Sequence, residues 1–400
     1  MVHTLDRKKI ADELKRSATS NASKDINYGF RRVFQMIPQM IPFFDNAETQ
    51  AVTEYMQSGG FITEYRKTET FEGMIAEYVN AKHAIVVNNG TVSLILMLMA
   101  LEIGVGDEVI VPNYTMIATP NSVVAVGAQP IFADVESTSL CMDFHEIEKN
   151  ISPRTKAILL VAANGRYPDY EIESLVALCS ERGIVLLEDA AQALGSRYPG
   201  GAHIGTIGKM GSFSFSVPKI ISTGQGGCVV TNDDDLASRL RRLKDFGRAR
   251  GGIDIHDSIG FNFKFTDLQA CVGIEQMKKL DARVIRKKEI WQRFNSGILG
   301  NEHISLFSHD LNATTPWFID SMVDSRDELI QFLKLKEIGT RVMYPPINSQ
   351  TAYDREGRFP VATDVGNRGL WLPSFVQITN EEIDFVCSSI NEFFDHHTPQ

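Results

Sequence analysis

No stretch of the 400-residue chain holds the roughly 18 consecutive apolar residues that a membrane-crossing helix needs. The opening segment Met1–Ile10 carries charges but no apolar run, so it does not read as a secretory leader. The five cysteines (Cys141, Cys179, Cys228, Cys271 and Cys387) are odd in number, scattered, and never spaced Cys-x-x-Cys. That pattern excludes a disulfide framework and a zinc ribbon, and it reads as reduced thiols in a cytoplasmic protein. Positive charge is also in short supply: 40 Lys and Arg face 50 Asp and Glu, for a net charge of −10. With the signs interspersed, this argues against a nucleic-acid partner. A small anion needs only a local pocket of donors and is not excluded. There is no internal repeat and no low-complexity tract. What is present is a 43% hydrophobic content, enough for a large core and two or three domains.

That content is arranged in a regular alternation. Short apolar runs at Ala84–Val87, Glu108–Val111, Gln129–Ala133, Thr155–Val161 and Ile184–Leu187 are separated by segments of helical period. Buried strands spaced by helices predict a parallel, doubly wound α/β sheet with helices on both faces. Ligands of such sheets sit beyond the strands' carboxyl ends. Asn89–Thr91, Asn113–Met116, Asn164–Arg166, Glu188–Asp189 and Ser214–Lys219 all fall there. Residues 1–37 form an extension, either a packed arm or a disordered tail. Residues 38–290 carry the large sheet, and 291–400 a smaller α/β lobe with strands at Trp317–Val323 and Gly339–Tyr344.

Two residues stand out chemically. Lys219 lies between an apolar strand and the glycine-rich turn Thr223-Gly-Gln-Gly-Gly227. There its amine can be held rigidly and desolvated enough to serve as a Schiff-base nucleophile; a surface loop lysine is the plain alternative. Asp189 closes a buried strand, where a carboxylate needs a cationic partner or serves as a helix N-cap. A protonated pyridine nitrogen would be such a partner. Asn89-Gly90-Thr91 offers amides and a hydroxyl to a phosphate at a helix N-terminus, or is simply a cap. Ser214 could supply a second hydroxyl.

Glu188-Asp-Ala-Ala-Gln-Ala-Leu-Gly195, Ser212-Phe-Ser-Phe215, Lys219 and Thr223–Gly227, in this order and spacing, resemble the DegT/DnrJ/EryC1/StrS sugar-nucleotide aminotransferases. These are a branch of the fold-type I pyridoxal phosphate enzymes, with a large, mainly parallel mixed sheet and a smaller carboxyl-terminal lobe. The resemblance spans about residues 41–394, and Gly366–Phe375 is most similar to the GDP-perosamine synthase branch. It implies pyridoxal 5′-phosphate joined to Lys219 as a Schiff base, with Asp189 on the pyridine nitrogen and Gln192 near the ring's O3′. Gly90, Thr91 and Ser214 would hold the phosphate, and Asn262 would reach it from the neighbouring subunit of a homodimer. It further implies glutamate as amino donor and a GDP-linked 4-keto-6-deoxyhexose as acceptor, in O-antigen or other surface polysaccharide biosynthesis.

The sequence departs from the family pattern in places. Met116 stands where an aromatic usually covers the ring, with Tyr114 as a substitute. Asn164-Gly-Arg166 replaces Tyr-Gly-His, Ala162 a frequent histidine, Lys264 an arginine and Asn348 a histidine. Asn164, Arg166, Tyr344 and Asn348 are therefore candidate substrate contacts. The same chemistry on a UDP- or dTDP-ketosugar, or on a smaller keto-phosphate, stays open. A ketosugar 3-dehydratase is disfavoured because the lysine is retained, and a non-catalytic regulator because residues 1–37 are too short for a helix-turn-helix.

Overall fold

The computed structural model describes residues 36–249 and 253–396. The extension at 1–37 lies outside these residues apart from its end, where the Ile37 amide donates to the Glu337 carbonyl. Residues 37–400 cluster as one unit holding two sheets.

The first sheet has seven strands: β1 (His83–Val87), β2 (Glu108–Pro112), β3 (Gln129–Ala133), β4 (Thr155–Val161), β5 (Val185–Asp189), β6 (Met210–Ser214) and β7 (Gly227–Thr231). They lie in the order β1-β7-β6-β5-β4-β2-β3. The block from β6 to β3 is parallel, whereas β7 runs antiparallel to both β6 and β1. The apolar runs sort by period two, as a sheet covered on both faces requires. Ala84, Val86, Ile158 and Leu160 join a core with the helices Arg66–Val79 and Ile172–Arg182. Ile85, Val87, Ala157 and Leu159 join another with the helices Gly90–Ala100 and Asp234–Lys244. The α/β expectation therefore holds, with one antiparallel strand within the sheet.

The second sheet is antiparallel throughout, ordered β10-β11-β9-β8, from β8 (Ile304–Leu306), β9 (Ile319–Val323), β10 (Arg341–Val342) and β11 (Gly369–Leu372). The expected strand at Gly339–Tyr344 is reduced to two residues: at one end the Gly339 amide donates to Ile37 O at 2.7 Å, and beyond the other Pro345 and Pro346 have no amide to extend the ladder. Helices Leu280–Gly297 and Asn380–His396 pack beneath this sheet through Ile290, Phe294, Ile383 and Ile390. The boundary expected at residue 290 falls inside the unbroken helix Leu280–Gly297.

Candidate active site

At the carboxyl ends of the parallel strands, a cavity of about 320 Å³ opens between the two sheets. Gly90, Thr91, Met116, Asp189, Gln192, Ser214, Lys219 and Tyr344 all line it. The topology explains the convergence, since each residue ends a strand or follows one.

Lys219 sits on the loop joining antiparallel neighbours β6 and β7. Both loop ends are tied: Phe215 donates its amide to Gly226 O at 2.8 Å and accepts one from Thr223 at 3.0 Å. Within it, Lys219 N–H bonds to Ser216 O at 3.0 Å, forming a turn that presents the side chain. Burial lowers the amine to about pH 8 from its ordinary 10.5; Asp189 opposes this, and Arg341 reinforces it. The neutral form is thus far more accessible near neutrality than in an ordinary lysine.

Asp189 is 5% exposed and lines the same cavity. Its Oδ2 accepts from the Thr119 hydroxyl at 2.8 Å and its Oδ1 from the Ala191 amide at 3.2 Å. It forms no ion pair within hydrogen-bonding reach among the described residues, and burial raises its carboxyl above the usual range. A buried carboxylate with two neutral donors still favours a cationic N–H. Its neighbour Glu188 is different: Tyr198 and the amides of Gly205, Ile207 and Gly208 fill its oxygens.

The phosphate-sized end of the cavity is built by close backbone approach. Asn89 caps the helix Gly90–Ala100, its side chain accepting from Val92 N at 2.9 Å. The first-turn amides of Gly90 and Thr91 have no intrahelical acceptor. A Cβ on Gly90 would meet Ser214 Cβ at 2.8 Å and Oγ at 2.9 Å, and one on Gly227 would meet Asn89 O at 2.4 Å. Glycine is required at both positions for this cradle to form. A helix N-terminus beside a serine hydroxyl is a ready anion site. Cradle, buried carboxylate and partly neutral amine together fit pyridoxal phosphate.

The other expected residues, Asn164, Arg166, Asn348 and Asn262, do not line this cavity. Asn164 spends its side chain on the backbone of Phe318, accepting from its N–H at 2.6 Å and donating to its C=O at 2.9 Å. Arg166 is 4% exposed and holds Asp320 through both terminal nitrogens, at 2.7 and 3.2 Å. Its Nε donates to Ser139 O at 2.8 Å. Asn348 exchanges two bonds with Asn113, at 2.8 and 2.9 Å. Asn262 is exposed. Tyr114 is buried behind Tyr344, ring centroids 5.9 Å apart, so Met116 alone of this pair borders the cavity. Conversely, Gln225, Trp317 and Arg341 line it without having been named as contacts, and Thr115 does so within the stretch Asn113–Met116 expected at the strand ends. Trp317 carried the weakest signal, since an aromatic opening a strand reads as core.

A sequence profile of the DegT/DnrJ/EryC1/StrS aminotransferase family matches residues 42–391. The chain belongs to that family. It is 36% identical to the GDP-perosamine synthase of Escherichia coli O157:H7 over 362 residues, covering 90% of this chain and 98% of the relative. Among solved structures it is similar to DesV of S. venezuelae, with TM-score 0.84 and 32% identity, covering 90% of this chain and all of that one. It is likewise similar to the PLP form of the putative sugar aminotransferase Spr1654 of Streptococcus pneumoniae, with TM-score 0.84 and 26% identity, covering 90% and 99% of the two chains. As a member of this family the protein is a pyridoxal-phosphate-dependent aminotransferase.

Proposed function

We propose that the enzyme aminates a nucleotide-linked 4-keto-6-deoxy sugar, GDP-4-keto-6-deoxymannose to GDP-perosamine, with glutamate as donor. The observation that carries this is the near end-to-end likeness to a GDP-perosamine synthase, with Lys219 and Asp189 lining one cavity. Pyridoxal phosphate supplies an electrophilic carbon for the amino group and a ring that delocalises the electron pair released when a C–H bond breaks. The protein's residues do the rest. Gly90, Thr91 and Ser214 would hold the phosphate, Asp189 would keep the ring nitrogen protonated, and Met116 and Gln192 line the same cavity. Lys219, once its amine is free, takes a proton from the donor's α-carbon and later returns one to the acceptor carbon. Burial, which raises Tyr344 to about 12, keeps its phenol a hydrogen-bond donor toward the cavity.

Asn262 is flanked by exposed Ile259 and Phe261, and such apolar exposure supports a homodimer whose partner covers this segment. Five free, buried cysteines support a cytoplasmic setting, supplying surface-polysaccharide or O-antigen synthesis. Incubating the enzyme and glutamate with GDP-, UDP- and dTDP-4-ketosugars, followed by mass detection of the amine, tests the reading. Amination of the GDP sugar in preference to the others is expected; exclusive amination of another nucleotide sugar overturns the assignment of substrate while leaving the aminotransferase intact.

A further inference from the structure

Lys219 borders two cavities. Behind it lies a second pocket of about 30 Å³, room enough to hold water, bounded by Arg283, Lys287, Phe318 and Ser374 and not lined by Asp189. Among the described residues only Pro218, Lys219 and Trp317 line both this pocket and the main cavity. They are the partition between the two.

Trp317 is 5% exposed and touches the lysine in two ways. Its indole N–H donates to Pro218 O at 2.7 Å, and the Lys219 amine sits 4.2 Å from its ring centroid. The indole is itself gripped. Phe318 stacks on it at 3.8 Å and Trp371 meets it edge-on at 5.8 Å. Its amide donates to Asn164 O at 3.3 Å, while the Asn164 side chain holds both backbone groups of Phe318. Asn164 N–H in turn donates to Gln192 Oε1 at 2.6 Å. The turn carrying Asn164 approaches so closely that a Cβ on Gly165 would meet Thr315 O at 2.4 Å.

We propose that Trp317 is a positioning residue for the reactive amine: its N–H fixes the Pro218–Lys219 turn, its ring walls the amine off from the rear pocket, and Asn164 holds it there. This rests on Lys219 being the cofactor-bearing lysine, as proposed above. The strut reaches from the second sheet to a loop of the first, so the reactive lysine is set by both sheets. The charged and titratable groups around the amine are Asp189, Arg341, Tyr344, Arg283 and Lys287.

The test uses purified full-length protein in cofactor-free and loaded forms. Lys219 is labelled competitively with acetic anhydride across pH in the cofactor-free form, and its peptide is quantified by mass spectrometry. Trp317→Leu should shift the labelling midpoint upward by about one pH unit, because water reaches the amine. Trp317→Phe, which keeps a ring but loses the N–H, should shift it less, and it serves if the leucine variant does not fold. The control is Trp291→Phe, which removes another indole N–H bond to a carbonyl, that of Phe307 at 3.3 Å, at a residue that lines neither pocket. It should leave the midpoint unchanged. Folded Trp317 variants with the wild-type midpoint overturn the proposal. Borohydride reduction of the loaded wild type fixes the cofactor to its lysine. Cofactor fixed to another lysine sinks the underlying assignment as well, whereas fixation at Lys219 with unmoved variants sinks the strut alone.

Discussion

The two walls of the cavity are made on different principles. One is the carboxyl edge of the parallel sheet, where Asp189, Ser214 and the Gly90 turn end strands whose partners are neighbours in the ladder. The other comes from the second sheet, where Trp317 precedes β9, Arg341 lies on β10 and Tyr344 follows it. The first wall follows from local pattern and the second from long-range packing. The difference teaches that chemistry is concentrated on the regular edge, and that the irregular edge orients it.

Breaking the first wall should have the largest effects. Lys219→Ala should abolish covalent cofactor attachment and cut turnover roughly a thousandfold or more, read by loss of visible absorbance and by rate. Asp189→Asn keeps the shape and removes the charge; turnover should fall roughly a hundredfold or more with the fold retained. Cofactor uptake by the cofactor-free protein needs the neutral amine, whose folded-state value is about 8. The uptake rate should therefore rise about tenfold per pH unit below that value and level off above it, measured by stopped-flow absorbance. For stability the sign is set by the lowered lysine. The unfolded chain binds the extra proton between about 8 and the ordinary 10.5, so Lys219's contribution improves as pH rises through that window.

The second wall should respond in stability before chemistry. Arg166→Ala leaves Asp320 buried and unpaired and should cost about 3–5 kcal/mol in denaturant unfolding, with the KM for the nucleotide sugar within about twofold of wild type. A large rise in KM at unchanged stability would return Arg166 to the substrate. Smallest of all, Tyr344→Phe removes one donor and should reduce kcat/KM by about tenfold or less without altering the melting temperature.

These contrasts also explain what the sequence could reveal. Apolar runs such as Ile184–Leu187 are short and local, so the strand ends near Asp189 and Ser214 could be placed by spacing alone. Lys219 and Asp189 each had a plain structural reading on local evidence, a loop lysine and a helix cap, and became legible through the ordered set of motifs around them. Arg166 also follows a buried strand, but its partner Asp320 is 154 residues away, and sequence spacing says nothing about a pairing across two sheets. Asn164 was ambiguous for a related reason: a polar side chain at a strand's carboxyl end serves a ligand or a distant backbone equally well, and here it holds Phe318. Trp317 was invisible because its role depends on which carbonyl its indole meets.

The lone antiparallel strand β7 has one more consequence. Because β6 and β7 are locked by the pairs Phe213 with Cys228 and Ser214 with Gly227, the segment 215–226 must leave and re-enter the sheet at fixed points. Its length is thereby a constant of the protein. One residue of extended chain spans about 3.3–3.6 Å, as much as the gap between a proton carrier and the atom it serves. Insertions and deletions should consequently be tolerated elsewhere on the cavity rim long before they are tolerated here, and substrate range is free to drift while the count of residues around Lys219 is not.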